Sequence, residues 1–125
     1  MNYKHALIID DDPFMQQTLV DFIQSLNIPL VSTAINGQHG IHTINSHNTT
    51  PDLVILDINM PIIDGYQVID YLSEQNYKGK TIIMSGTAQH NIIAAQLLAK
   101  WSNLQVGDSL IKPFSQSDLI NSILS

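Results

Sequence analysis

The sequence predicts an α/β fold in which a five-stranded parallel sheet is doubly wound, with helices on both faces in a (βα)5 arrangement. Short apolar runs alternate five times with helical patterns along the 125-residue chain, as expected for parallel strands joined by crossover helices. Several of these runs are apolar without interruption, which is typical of strands buried on both faces. A polar residue follows four of the runs directly, at the sheet edge where such folds bind ligands.

The composition indicates one globular domain covering residues 1–125. Apolar residues make up 44% of the chain and charged residues 13%, which excludes a disordered chain. The net charge of −6 argues against a direct nucleic-acid surface and is compatible with binding a cation. The absence of cysteine excludes disulfides and thiolate metal sites. No run approaches membrane-spanning length and the N-terminus lacks a signal-peptide pattern, so we expect a cytoplasmic protein without membrane contact.

The first strand, Ala6–Ile9, runs into three adjacent carboxylates and a proline. Asp12 followed by Pro13 is typical of a helix start, because the carboxylate caps backbone N–H groups and proline suits the first helical position. That interpretation leaves Asp10 and Asp11 unexplained at a strand end, where like charges repel. These two side chains therefore call for a partner from outside the local segment.

The next elements are a helix over Phe14–Leu26, a strand over Leu30–Ile35 and a weaker, polar helix over Gln38–Ser46. The last of these carries His39 and His42, whose spacing would suit a pair of metal ligands. No third ligand lies within reach along the sequence, so we favour a solvated helix face.

The central strand, Leu53–Leu56, ends in a single carboxylate, Asp57. A carboxylate at a buried strand end is costly unless it has a partner, although capping of an Asx-type turn would also account for it. A third helix is expected over Gly65–Gln75, with Gly79 ending it.

Two strands and two helices complete the alternation. The fourth strand runs into Ser85-Gly86, and the fifth runs into Lys112-Pro113. The predicted elements are Thr81–Met84, Gln89–Ser102, Leu110–Ile111 and Asp118–Leu124, with Ser115 or Ser117 capping the last helix.

Because parallel strands end at one edge of the sheet, Asp10, Asp11, Asp57, Ser85 and Lys112 can converge there. Crowded carboxylates raise each other's pKa unless a cation intervenes, and an all-oxygen site suits Mg²⁺. The lysine offers a point charge for a phosphate oxygen, and Ser85 offers a hydrogen bond. Asp57 could then attack phosphorus and form an acyl phosphate.

The motifs together resemble the receiver domain of two-component response regulators, with the fold of the bacterial chemotaxis regulator. The resemblance covers essentially the whole chain and implies a flavodoxin-like sheet with strand order 2-1-3-4-5. The motifs are LIIDDDP at 7–13, LVILDINMPIIDG at 53–65, IIMSGTA at 82–88 and LIKPF at 110–114.

The resemblance implies that Asp57 is the phospho-acceptor. It also implies a Mg²⁺ site, which Mn²⁺ could also occupy, formed by Asp10, Asp11, Asp57 and the backbone carbonyl of Asn59. In that site Asp11 binds the metal directly, and Asp10 binds it mainly through water.

The resemblance also implies the groups that bind the phosphoryl group and sense it. Ser85, with Gly86 beside it, is the switch hydroxyl that moves toward the phosphoryl group. Lys112 pairs with the phosphoryl group, and the Lys112–Pro113 peptide bond is expected to be cis.

As a receiver, the chain would accept a phosphoryl group from the phospho-histidine of a sensor histidine kinase or phosphotransfer protein. It would not be an enzyme, beyond catalysing its own phosphorylation and dephosphorylation. It would then switch an output domain or a protein partner, and a homodimer is one form that this output takes. The chain is expected to be either a stand-alone receiver or a receiver cut from a longer protein.

Two departures from the family pattern matter. Receivers usually carry an aromatic residue two or three positions before the lysine, whereas Ser109 stands there in this chain. Lys112 also follows Ser85 by 27 positions, more than common receivers need. This second feature resembles receivers attached to cyclic-di-GMP phosphodiesterase (EAL) domains, which makes such a domain a candidate output.

The fourth helix is apolar nearly all round, although a helix packed on one sheet face needs a single apolar stripe. A larger core contact would explain the surplus. The alternative is a partner surface, formed by this helix with the last strand and last helix and including Leu98 and Trp101. Receivers commonly signal through that face.

Two rival functions are considered. A haloacid-dehalogenase-type phosphatase would use Asp10 as nucleophile, with Asp12, Ser85 and Lys112 in the matching order. This chain lacks the closing acidic pair of such a phosphatase, and that function would leave Asp57 unexplained. A receiver-like binding module that is never phosphorylated would not need the intact acidic site. An electron-transfer flavodoxin is disfavoured, since no phosphate-cradling loop follows the first strand.

Overall fold

The computed structural model describes residues 2–46, 48–58, 60, 65–86 and 89–125, with the backbone alone at residues 89–91. These residues form six strand segments and five helices, which alternate except that the last two strands follow each other directly. The strands are β1 (His5–Ile9), β2 (Leu30–Ala34), β3 (Leu53–Asp57), β4 (Lys80–Ser85), β5 (Gln105–Val106) and β6 (Leu110–Ile111). The helices are α1 (Pro13–Ser25), α2 (Gly37–Ser46), α3 (Gly65–Glu74), α4 (Gln89–Trp101) and α5 (Gln116–Leu124).

All strand pairs of the sheet are parallel, in the order β2-β1-β3-β4-β5, with β6 also paired to β4. The predicted order 2-1-3-4-5 is therefore confirmed. The prediction of a single fifth strand needs a correction, because two short segments, β5 and β6, pair with β4. β5 pairs with the start of β4, where Thr81 lies opposite Val106, and β6 pairs with its end, where Ser85 lies opposite Ile111. β5 has no recognisable signal in the sequence, since two residues form no apolar run.

The sheet is covered on both faces, as predicted. Every residue of β1 and β3 is buried, and alternate side chains enter opposite layers because a strand has a period of two. Leu56 packs in the layer under α2, α3 and α4, and Ile55 packs in the layer under α1 and α5. Burying a Leu or Ile side chain contributes about 1.5–3 kcal/mol, so these two strands anchor the sheet edge where the site lies.

The ends of the helices follow their local chemistry. The carboxylate of Asp12 accepts a hydrogen bond from the backbone N–H of Phe14 (2.9 Å), with Pro13 at the first helical position, as predicted. Ser115 caps α5 and Asp118 completes a capping box, so α5 begins two residues earlier than predicted. The box satisfies two backbone donors that the helix itself leaves unpaired.

Three helices are followed by an asparagine in the left-handed conformation, namely Asn27, Asn76 and Asn103. Asparagine tolerates this conformation better than other residues with a side chain. The prediction that Gly79 ends the third helix is therefore wrong, because α3 ends at Glu74 and the chain turns at Asn76. Among the described residues, no helix combines the length and apolarity that crossing a membrane requires.

Candidate functional site

The two buried carboxylates of the site lie where β1 and β3 end. Asp10 directly follows β1 and is fully buried, and Asp57 is the last residue of β3 and is 4% exposed. The backbone N–H of Asp10 also donates to the carbonyl of Ala34 (3.0 Å), which extends the pairing of β1 with β2 by one bond. Both carboxylates are thus placed by the backbone of the most buried strands.

Lys112, just after β6, joins these two carboxylates. Its Nζ lies 2.7 Å from Asp10 Oδ2 and 3.1 Å from Asp57 Oδ2. Burial lowers the pKa of Lys112, but the hydrogen bond to Asp10 and the charges of both carboxylates outweigh it and hold the pKa above its ordinary value. The ammonium is therefore charged at neutral pH and offsets part of the cost of burying the two carboxylates.

The carboxylate of Asp10 is held at both oxygens. Its Oδ1 accepts from the backbone N–H of Asp12 (2.9 Å), and its Oδ2 accepts from Lys112. Hydrogen bonds of this kind, with a charged acceptor, are stronger than neutral ones. Asp10 is thus fixed in direction by its own loop and by the last strand.

Asp10, Asp11 and Asp57 form a group in which one oxygen of each side chain lies within 4.8 Å of the others. Asp11 is exposed, so the group opens to solvent on one side. All the ligand atoms are oxygens, which suit Mg²⁺ better than they suit softer metals. These residues therefore fit the predicted magnesium site, whereas the fourth predicted ligand, the Asn59 carbonyl, lies outside the described residues.

The predicted phosphoryl-binding groups meet the carboxylates at the same edge. Ser85 is fully buried at the end of β4, and its carbonyl accepts from the backbone N–H of Lys112 (2.8 Å). Gly86 follows at the surface, close to the Lys112 side chain. The Lys112–Pro113 peptide bond is cis.

The two residues predicted for the partner surface occupy different environments. Trp101 is 79% exposed, whereas Leu98 is partly buried and packs against the core under α4. The exposed apolar stripe is formed instead by Ile93, Leu97 and Trp101. Their spacing of four residues could have identified this stripe from the sequence.

Two glutamines near the site were missed. Gln16 in α1 donates to the carbonyls of Asp10 and Ala34, and Gln96 in α4 bonds to the segment between β5 and β6. A polar residue in an apolar helix was the available signal for Gln96. Gln16 gave no signal in the sequence, because its partners are backbone atoms.

The paired histidines of α2 belong to no group of three candidate metal ligands among the described residues. His39 Nδ1 accepts from the backbone N–H of Ile35 (3.2 Å), which closes the turn before the helix. Among the described His, Asp and Glu residues, the candidate metal group is the acidic one at the strand ends.

A family model described as the response regulator receiver domain matches residues 6–124. The chemotaxis protein CheY of Bacillus subtilis is 29% identical over 119 residues, which cover 94% of this chain and 92% of CheY. The probable C4-dicarboxylate response regulator DctR of Bacillus subtilis is 34% identical over 110 residues, which cover 87% of this chain. The chain spans 46% of the length of DctR.

Solved structures agree on the fold. The response regulator protein TrrA from Thermotoga maritima, in complex with Mg²⁺ and BeF, superposes with a TM-score of 0.76 at 25% identity, covering 97% of this chain and 96% of TrrA. A chain of the CheX–CheY–BeF3–Mg²⁺ complex from Borrelia burgdorferi has a TM-score of 0.82 at 21% identity, covering 96% of this chain and 86% of that chain. With the family model matching nearly every residue, the chain belongs to the receiver domains of two-component response regulators.

Proposed function

We propose that residues 1–125 form one receiver domain that takes a phosphoryl group from a phospho-histidine onto Asp57. The donor would be a sensor histidine kinase or a phosphotransfer protein. The observation that carries the proposal is the juxtaposition of a buried Asp57 with the Lys112 ammonium at 3.1 Å and with two further carboxylates. This set combines a nucleophile, a cation-binding group and a fixed positive charge.

In the proposed reaction an oxygen of Asp57 attacks phosphorus, and the bond from phosphorus to the imidazole nitrogen of the donor breaks. The electron pair of that bond returns to the imidazole, and Asp57 becomes an acyl phosphate. Mg²⁺, held by Asp10, Asp11, Asp57 and the Asn59 carbonyl, would neutralise charge on the transferring group. The Lys112 ammonium adds a second positive charge that is already oriented toward Asp57.

The bonds that fix Asp10 argue against its use as the acceptor. Asp10 is bound at one oxygen by the backbone N–H of Asp12 and at the other by Lys112. Attack by Asp10 would require breaking bonds that fix its own loop. The bonds that hold Asp10, with the family membership, weigh against the phosphatase alternative.

The acceptor is tested by labelling with acetyl phosphate and with a phospho-histidine donor. Asp57→Asn should abolish labelling, because an amide is not a nucleophile of this kind, and Asp10→Asn should reduce it while leaving Asp57 as the labelled residue. Asp21→Asn is the matched control, since Asp21 is an exposed carboxylate in α1 whose partner is Gln17. Labelling of Asp10 in the Asp57→Asn chain would overturn the proposal, and so would labelling that does not depend on a divalent cation.

Phosphorylation would draw Ser85 and Lys112 toward the phosphoryl group, and the segment between β5 and β6 would carry the change to α4. The hydroxyl of Ser109 donates to Gln96 Oε1 (2.6 Å), and Gln96 Nε2 donates to the carbonyl of Gly107 (3.0 Å). Because Ser109 stands three residues before Lys112, we propose that these hydrogen bonds replace the usual aromatic switch. The signal is then a shift between two positions of α4.

We place the output surface on the exposed stripe of α4 together with β6 and α5. A groove of about 290 Å³ between β6 and α5 is lined in part by Asp108, Ile111, Phe114 and Asp118. The surface would bind either an output domain or a second copy of the chain. The long spacing between Ser85 and Lys112 makes an EAL-type phosphodiesterase the candidate output domain. A second readout is the assembly state of the chain, which light scattering measures with and without beryllofluoride.

A further inference from the structure

Gln16 reaches from the first turn of α1 back to the edge of the sheet. Its Nε2 donates to the carbonyl of Asp10 (2.7 Å) and to the carbonyl of Ala34 (2.9 Å). One amide group therefore uses both of its hydrogens on the ends of two neighbouring strands, β1 and β2. The orientation of the amide is fixed by this pairing, because its oxygen could not occupy the same position between two acceptors.

These two carbonyls belong to fully buried residues. The Ala34 carbonyl also accepts from the backbone N–H of Asp10, so Gln16 matters most at the Asp10 carbonyl. A buried acceptor that loses its donor is costly, and the bond from Gln16 therefore defines the conformation of the chain as it leaves β1. With Gln16 on its carbonyl, Asp12 on Oδ1 and Lys112 on Oδ2, Asp10 is held at three separate points.

The held carbonyl also governs Asp11. The carbonyl of Asp10 and the N–H of Asp11 are parts of one planar peptide unit, so a donor that fixes the carbonyl fixes the plane from which Asp11 departs. Gln16 thereby orients the two carboxylates that, with Asp57, form the acidic group of the site.

Orientation matters more for one cation than for another. Mg²⁺ requires nearly ideal octahedral geometry at about 2.0–2.1 Å, whereas Ca²⁺ accepts six to eight ligands at about 2.3–2.6 Å in flexible arrangements. A loosened pair of carboxylates would therefore lose affinity for Mg²⁺ first.

We propose that Gln16 is a positioning residue that sets the Mg²⁺ affinity of this site and its selectivity over Ca²⁺. The inference rests on the proposed function, because it takes the acidic group to be a cation site. Gln16 acts through the backbone of Asp10 and touches neither the cation nor the phosphoryl group.

The test measures Mg²⁺ and Ca²⁺ affinities by calorimetry on the whole chain, with thermal unfolding of each variant. Gln16→Met keeps the length of the side chain and removes the donor, and it should weaken Mg²⁺ binding about tenfold while Ca²⁺ binding changes by less than about threefold. Gln16→Asn keeps the amide but is one methylene shorter, so it cannot reach both carbonyls, and it serves as the second variant if Gln16→Met unfolds. Gln17→Met is the matched control, since Gln17 is the neighbouring glutamine and bonds to Asp21 on the exposed side of α1.

A loss of Mg²⁺ affinity with Ca²⁺ affinity retained, and no change in Gln17→Met, supports the proposal. Unchanged Mg²⁺ affinity in the folded Gln16 variants overturns it, and so does an equal loss for both cations, which would indicate a structural role alone. A wild-type chain that binds no Mg²⁺ would instead overturn the proposed function, so the two failures are distinguishable.

Discussion

At the scale of single residues, the site is governed by the shared use of Lys112 by two buried carboxylates. One ammonium lies within 3.1 Å of both Asp10 and Asp57, while Asp11 adds a third negative charge nearby. The site therefore carries an excess of negative charge before any cation binds. The Lys112 ammonium and a divalent cation would both neutralise these carboxylates, and we expect them to compete for the oxygens that Lys112 contacts.

We predict that Lys112→Met lowers the free energy of unfolding by about 3 kcal/mol in the absence of divalent cations, because both buried carboxylates lose the ammonium that offsets their charge. Added Mg²⁺ should restore much of that loss, and its affinity should rise since no ammonium competes at Asp10 Oδ2. Denaturant unfolding with and without Mg²⁺ gives both quantities. Lys100→Met, at an exposed lysine in the last turn of α4, should change stability by less than about 0.5 kcal/mol. An equal loss at every Mg²⁺ concentration would contradict the competition.

Three of the site residues that sequence reasoning found share one property. Asp10, Asp57 and Lys112 are charged residues that directly follow apolar runs, and burial of a charge at such a place demands a partner. Gln16 has no such mark, because its partners are backbone carbonyls that every sequence possesses. Only the path of the chain between β1 and β2 brings those carbonyls to its amide.

At the scale of elements, the segment between β5 and β6 connects α4 to α5. Gly107 has no room for a side chain, since a Cβ would meet the carbonyl of Ser122 in α5, and its own carbonyl accepts from Gln96 in α4. On the other side, the hydroxyl of Ser122 donates to the carbonyl of Asp108. The sequence could not reveal this connection, because the segment follows a two-residue strand without periodicity and its bonds cross 11 or more positions.

We predict that Ser109→Ala and Gln96→Met each speed amide exchange in α4, because Ser109→Ala removes one hydrogen bond and Gln96→Met removes two, each with a net value of about 1 kcal/mol. The double variant should not exceed Gln96→Met by much, since that change already breaks the bond to Ser109. Labelling of Asp57 should remain at the wild-type level. Ser117→Ala, at an exposed serine in the first turn of α5, is the control. Fully additive effects on exchange would show that the two side chains act independently.

At the scale of the whole molecule, the sheet is stabilised at both ends of its central strand by groups that must stay protonated. At the site, Lys112 holds Asp57 at the end of β3. At the opposite edge, the hydroxyl of Tyr77 donates to the carbonyl of Pro51 (2.7 Å), just before β3 begins. Asp52, next along the chain, accepts from the backbone N–H groups of Lys4 and His5, which ties this edge to β1.

The fold class followed from the sequence at this scale, but the strand order did not. Alternating strands and helices predict a parallel sheet with helices on both faces, whichever strand the chain returns to. The order 2-1-3-4-5 came from the family resemblance. No local pattern in the sequence shows that β3 is added on the opposite side of β1 from β2.

The last prediction concerns alkaline pH. Burial, followed by the charges of Asp52 and Tyr3, raises the pKa of Tyr77 well above its ordinary value of 10.0. The pKa of Lys112 is also raised above its ordinary value of 10.5. Both groups therefore hold protons in the folded chain that the unfolded chain releases. Their stabilisation is complete below about pH 10 and is lost as the pH rises through the folded pKa values, with a slope of about 1.4 kcal/mol per pH unit for each group.

The measurement is the free energy of unfolding between pH 8 and pH 11, with Tyr77→Phe as the variant. At neutral pH this variant should lose about 1 kcal/mol, the net value of the hydrogen bond to Pro51. Above pH 10 its stability should fall less steeply than that of the wild type, by up to about 1.4 kcal/mol per pH unit, because phenylalanine has no proton to release. The wild-type and variant curves should thus converge at high pH. Parallel curves across the whole range would mean that Tyr77 stays outside the alkaline transition and that Lys112 at the opposite edge accounts for it.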